Sequence, residues 1–371
     1  PRRTAHGLLA KPPAESKRGL SVKLFPPAFA VIVRAAPASA APTVIHTFDR
    51  LSLSPTGDRV ANVEANDPGN LLQEAHGAIV VRDAAGKILA TYDPCKTCKY
   101  GDTAWSANGE LAFVSTDDKA GRATLFVVSN GKARALTAIS GVANTLRWSP
   151  DGARIAALVT LGAHKKTGAT EAGAALTGEI GENNDEQRIA VVPASGGTLK
   201  PVSPADTYIY EYSWAPGGKG FAATGAKGNG DDNWWVATLD YVDAQTGALR
   251  VIAAPKTQLN LPRISPDGKT VAFIGGLMSD WGSIGGDIYT VPLAGGVPTD
   301  ITPNFKGTFD GLHWRGNALL ASALIGDKMA AISVDPTART QKVLWSAPAG
   351  VKAQRFDGAI AFSADGTVAA A

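Results

Sequence analysis

The sequence predicts an all-β fold, a seven-bladed β-propeller with an incomplete seventh blade, and three observations carry that expectation. A hairpin motif, clearest as Trp148-Ser149-Pro150-Asp151-Gly152, recurs seven times along the 371 residues. The recurrences fall at intervals of ~40–50 residues, the length of a four-stranded blade. The composition, 44% apolar with 41 glycines, suits a protein rich in strands and turns and not a disordered chain.

Each element of the motif has a physical task. Proline presets φ at the first central turn position, aspartate bonds to its own backbone, and glycine tolerates positive φ. The other copies are Leu53-Ser54-Pro55-Thr56-Gly57, Trp105-Ser106-Ala107-Asn108-Gly109, Trp214-Ala215-Pro216-Gly217-Gly218 and Ile264-Ser265-Pro266-Asp267-Gly268, then the weaker Trp314-Arg315-Gly316-Asn317 and Phe362-Ser363-Ala364-Asp365-Gly366. With the serine or its replacement as marker, the positions are 54, 106, 149, 215, 265, 315 and 363, spaced by 52, 43, 66, 50, 50 and 48 residues.

Strands follow from the apolar runs around each marker. In blade two they are expected at 111–114, 125–128 and 135–136, and in blade three at 155–159, 188–192 and 200–202. Blade five is the clearest copy, with strands at 261–265, 270–274, 287–291 and 299–302. No segment carries the period of a long amphipathic helix. Trp105, Trp148, Trp214 and Trp314 share the position before the marker, which predicts packing between adjacent blades. In blade seven the pattern stops within the strand 367–371, so the sequence reads as a fragment of a longer polypeptide.

Two regions are distinguished: a leader at 1–42 and the propeller at 43–371. The net charge of +3 is unevenly placed, because the leader holds seven Lys/Arg and the single acid Glu15, leaving 29 basic and 32 acidic side chains in the rest. A folded part of that balance offers no basic patch for nucleic acid, so no nucleic-acid partner is expected. Lys23, the apolar run 24–33 and Ala38-Ser39-Ala40 follow the order of a secretory signal peptide. A periplasmic or secreted location is therefore expected. No run of ~20 apolar residues exists to span a membrane.

Candidate chemistry is sparse. Cys95-Lys96-Thr97-Cys98 is expected to form a local disulfide clamping the loop between blades one and two. The five histidines are scattered, so no metal and no cofactor are expected. Ser283 has Trp281 where a nucleophile elbow needs glycine, and a strand follows where the elbow needs a helix. No catalytic residue is assigned. The long B–C connections 161–187, 225–233 and 275–286 lie on one face, where recognition tends to reside. On that face Tyr208-Ile209-Tyr210-Glu211-Tyr212 approaches Asp231-Asp232-Asn233-Trp234. Glu211, Tyr210, Asp231, Asp232 and Trp234 are the substrate-binding candidates, a set able to hold a cationic group by carboxylate pairing and aromatic contact.

The recurring Ser-Pro-Asp-Gly turns, with 271–280 (Val271-Ala272-Phe273-Ile274-Gly275-Gly276), Asp287-Ile288-Tyr289 and Asp232-Asn233-Trp234-Trp235-Val236-Ala237, resemble the propeller half of exported prolyl oligopeptidase-family serine peptidases, the dipeptidyl- and acylaminoacyl-peptidase branch. The resemblance spans about 48–371. It implies a peptide substrate and an α/β-hydrolase domain that this chain lacks, with the propeller admitting and orienting short peptides. It also implies that Glu211 takes a substrate's N-terminal amine. A free-standing TolB-like periplasmic interaction propeller is the alternative that shares the turn motif.

Overall fold

The turn motif closes in the same way in blade after blade. In blade three the Gly152 amide donates to the Ser149 carbonyl at 2.8 Å, with Gly152 at φ +69°. The Ser149 hydroxyl accepts the Arg154 amide at 3.0 Å and donates to Asp151 Oδ1 at 2.5 Å. Ser265 and Ser363 repeat both bonds, to Thr270 and Asp267 and to Val368 and Asp365. These hydroxyls are buried, and a buried hydroxyl is tolerated only when paired. The serine thus ties the start of one strand to the end of the one before it.

A computed structural model describes residues 30–32, 44–67, 69, 75–163, 185–228, 233–276, 285–348 and 360–370. Four antiparallel strands make blade one: Ile45–Leu53, Arg59–Asp67, Gly77–Asp83 and Ile88–Tyr92. Blade two is Lys99–Trp105, Leu111–Asp117, Arg122–Ser129 and the first half of Lys132–Trp148. The second half of that 17-residue strand is the inner strand of blade three, followed by Arg154–Leu161, Arg188–Pro193 and Lys200–Pro201. The hinge is Gly141 at φ +116°, where a Cβ would lie 2.1 Å from the Thr160 carbonyl oxygen. With no loop between the two blades, the marker interval there is the shortest of the six.

Blade four is Thr207–Trp214, Gly220–Lys227, Thr238–Asp243 and Leu249–Ala253, and blade five Gln258–Ile264, Thr270–Gly276, Asp287–Pro292 and Thr299–Asp300. Blade six is Thr308–Arg315, Ala318–Ile325, Lys328–Asp335 and Thr340–Ala347. Among the described residues, helical geometry is confined to the 3₁₀ turns Pro216–Gly218 and Trp234–Val236. None is long or apolar enough to cross a membrane.

Blade seven holds Ala361–Phe362 and Val368–Ala370, and its third strand is Ala30–Ile32, running parallel to Val368–Ala370. The sequence alone puts residues 1–42 outside the fold; here three of them satisfy the backbone edge that Val368–Ala370 presents. Blade seven meets blade one through the Ala364 amide, which donates to the Pro55 carbonyl at 3.1 Å.

The core is a succession of seams between neighbouring blades. Ile79 and Phe113 pack across blades one and two, Leu125 and Ile155 across two and three, and Leu158 and Phe221 across three and four. Ile252 and Phe273 join four and five, Ile274 and Phe309 five and six, Leu320 and Ala369 six and seven. A blade therefore buries both faces only with both neighbours in place. The tryptophans sit at these seams as expected. Their Nε1 groups donate to the preceding inner strand: Trp105 to Ser52, Trp148 to Ala104, Trp214 to Arg147 and Trp314 to Arg263, at 3.3, 3.0, 3.1 and 2.9 Å.

Candidate functional site

Blades one to six share a register shift between their first and second strands, as at Asp49/Ser52, Gly101/Thr103, Ile209/Glu211 and Asn260/Arg263. In blades one, two, three and five the shift takes in the residue four before the marker, and each of these has positive φ: Arg50 (59°), Asp102 (23°), Thr145 (53°) and Leu261 (56°); in blades four and six it falls one residue earlier, at Tyr210 and Asp310. A bulge removes an amide from the sheet ladder, so that amide needs another acceptor. Carboxylates of the preceding blade provide it. Asp102 Oδ2 accepts the Thr145 amide and Glu211 Oε2 accepts the Leu261 amide, each at 2.5 Å. Asp102 and Glu211 occupy the same repeat position and make the same bond.

The inner strands surround a channel of about 440 Å³, lined from Arg50 and Asp102 down to Pro55, Ala107 and Pro150 at the A–B turns. Two before each marker stand Ser52, Ala104, Arg147, Ser213, Arg263, His313 and Ala361. The basic members of that row reach forward to the next blade. Arg147 Nε donates to the Tyr212 carbonyl at 3.1 Å, Arg263 Nε to that of Leu312 at 3.3 Å, and His313 Nε2 lies 3.3 Å from that of Ala364. Burial, then the nearby Arg263 charge, holds the His313 pKa below its ordinary value, although the Ala364 carbonyl acts the other way. Trp105, Trp148 and Trp214 complete the wall.

The candidates on the opposite face divide. Tyr210 and Trp234 come together in a buried cluster with Tyr208, Ala226 and Ala237, the two tyrosine rings 4.9 Å apart. Trp235 stacks on Trp234 and remains exposed. Glu211 is only 3% exposed, with its carboxylate on the Leu261 amide. Asp231 and Asp232 lie outside the described residues, as do most of the three B–C connections and Ser283.

Cys95 and Cys98 form a disulfide, with Cα atoms 5.4 Å apart. Tyr100 closes the same loop: its hydroxyl accepts the Cys95 amide at 2.7 Å and donates to Asp93 Oδ1 at 3.0 Å, and burial pushes its pKa far up. Asp93 also pairs with Lys96 and His76. Among the described residues, no three His, Cys, Asp or Glu side chains are disposed to hold a metal.

Sequence reasoning missed the channel side chains Arg50, Arg147, Arg263 and His313. The signal was available for three of them: aligning the seven copies on the marker puts Arg147, Arg263 and His313 in one column.

No family model matches the sequence, and no curated protein matches it. Solved structures do share its fold. A prolyl endopeptidase gives a TM-score of 0.56 at 14% identity over 86% of this chain and 45% of its own. The β-propeller domain of the Trilobed protease from Pyrococcus furiosus gives 0.54 at 9% identity, over 81% and 84% of the two chains. The acylaminoacyl peptidase of Pyrococcus horikoshii gives 0.54 at 12%, over 78% and 45%. The chain spans under half the length of the two whole peptidases. These likenesses define a β-propeller of the architecture found in such peptidases.

Proposed function

We propose that this chain is the substrate-admitting propeller of an S9-type serine peptidase, itself non-catalytic, that passes short peptides to an α/β-hydrolase partner domain. The observation that carries this reading is the channel, which offers ~10² Å³ of space walled by indoles and a few polar groups, as small-ligand sites do. The fold shared with prolyl endopeptidase and acylaminoacyl peptidase supports the choice of peptides as ligands. The reading includes export, supported by the Lys23-to-Ala40 pattern and the Cys95–Cys98 disulfide.

Because Trp105, Trp148 and Trp214 line the channel, tryptophan fluorescence tests the reading. Peptides of two to six residues with free ends are expected to change the emission saturably, and a folded protein of ordinary size to leave it unchanged. Equal responses to both would argue against admission by size.

Amine binding by Glu211, with Tyr210, Trp234, Asp231 and Asp232, is a separate proposal on the opposite face. It predicts that Glu211→Gln abolishes preference for a free N-terminus while the protein stays folded, since glutamine still offers an oxygen to the Leu261 amide. A retained preference would remove Glu211 from that role.

A further inference from the structure

We propose that Cys95–Cys98 is a reversible redox couple that exchanges with external dithiols while the chain stays folded, the Tyr100 hydroxyl holding the two cysteines together when the disulfide is open. This goes beyond the peptide-admitting reading and does not rest on it.

The turn that carries the disulfide is closed by hydrogen bonds that use neither sulfur. The Cys98 amide donates to the Cys95 carbonyl at 3.3 Å, and the Tyr100 hydroxyl accepts the Cys95 amide at 2.7 Å. That hydroxyl is fixed from both ends. Its ring packs edge-on against Phe113 in the core between blades one and two, and its proton has Asp93 Oδ1 at 3.0 Å and the Cys95 carbonyl at 3.1 Å as acceptors. Lys96 Nζ holds the other Asp93 oxygen at 2.6 Å. Burial keeps Tyr100 protonated through the pH range in which thiolates form, so the clamp persists there. A disulfide across two intervening residues restrains little chain, and opening it leaves the turn standing.

The two sulfurs also differ in access, since Cys95 is half-buried and Cys98 is buried. A thiolate of the external dithiol attacks Cys95 Sγ; the S–S bond breaks and its electron pair leaves on Cys98 Sγ, which takes a proton. The dithiol's second sulfur then attacks its first across the mixed disulfide, closing a cyclic disulfide and releasing the Cys95 thiolate, which is protonated in turn. The dithiol loses two electrons and two protons, and the cysteine pair gains them. Thr97 Oγ1, 3.8 Å from Cys95 Sγ, is a donor for that thiolate. The sequence contains 2 cysteines, so no third thiol diverts the open pair.

The test is alkylation and mass analysis of the full chain after dithiothreitol treatment in native buffer, followed by reoxidation in glutathione mixtures. Both Cys95 and Cys98 are expected to be alkylated while the melt stays cooperative, and oxidised glutathione should restore the internal disulfide in place of glutathione adducts. Tyr100→Phe keeps the ring and should lower the equilibrium constant for closing the pair by about three- to tenfold, on the scale of one hydrogen bond, because the open pair is then less ordered. Thermal melts report whether this variant folds, and reduction and reclosure of the parent chain decide the matter if it does not. Thiols that appear only as the chain unfolds, or reoxidation that stops at glutathione adducts, would overturn the couple. An unchanged constant in folded Tyr100→Phe would overturn the part given to its hydroxyl.

Discussion

Arg147 and Trp214 lace blades three and four together in both directions. Trp214 Nε1 donates back to the Arg147 carbonyl at 3.1 Å, and Arg147 Nε donates forward to the Tyr212 carbonyl at 3.1 Å. Arg263 and Trp314 repeat the exchange between blades five and six, at 2.9 and 3.3 Å. Tyr212 adds its hydroxyl to the Thr145 carbonyl at 2.6 Å. The same strand ends that wall the channel therefore hold the ring together.

Trp214→Phe keeps most of the ring contact and removes one donor, leaving the Arg147 carbonyl short of a partner. A loss of about 1 kcal/mol is expected in urea unfolding. Trp235→Phe, an exposed position, should change stability by less than about 0.5 kcal/mol. Equal losses would deny the lacing its role.

Glu211→Ala leaves the buried Leu261 amide without its acceptor, at a cost of about 1–3 kcal/mol. Glu211→Gln should cost less, because an oxygen remains in reach. Asp102→Ala is expected to match Glu211→Ala in size, since both acids serve the same bulge one blade on. A Glu211→Ala variant as stable as the parent would contradict this account of the bulge.

Asp240 is 1% exposed at the seam of blades three and four, and burial pushes its pKa up to about 6, with the Thr238 hydroxyl acting the other way. In the unfolded chain the same group titrates near 3.8. Between those values the folded state holds more protons than the unfolded one, so raising the pH through this window lowers stability. Below the window the penalty is absent; above pH 6 it is complete. Asp240→Asn should therefore stabilise the protein above pH 6 by about 2–3 kcal/mol and have little effect near pH 4. A pH-independent effect in paired melting curves would contradict the assignment.

Gly141→Ala tests the joint between blades two and three. The new Cβ would collide with the Thr160 carbonyl at a φ that disfavours any side chain. A loss of at least about 2 kcal/mol is expected, whereas Gly131→Ala, with open space around it, carries only the strain of its φ of +72°. Similar losses at both glycines would place no special demand on the joint.

The repeat was legible because each turn writes its chemistry locally: Ser149, Asp151 and Gly152 bond within six residues of one another. The strands of blade five follow the expected runs to within a few residues for the same reason. The channel was not legible from local pattern. It depends on side chains such as Arg147 and His313 that are far apart in sequence and meet only once the ring has formed. The bulges were equally hidden, because nothing about Arg50, Thr145 or Leu261 as residue types calls for positive φ. Glu211 was noticed for its charge among tyrosines, yet its partner Leu261 lies 50 residues on, in the next blade. The strand Ala30–Ile32 was missed because its composition suggests a leader, and only the edge of Val368–Ala370 gives it a place.

Crystals of the full chain soaked with a short free-ended peptide test the central claim most directly. The account predicts density inside the channel, with the peptide along Trp105, Trp148 and Trp214. Peptide density only on the opposite rim beside Trp234 and Trp235, with the channel holding solvent alone, would contradict it.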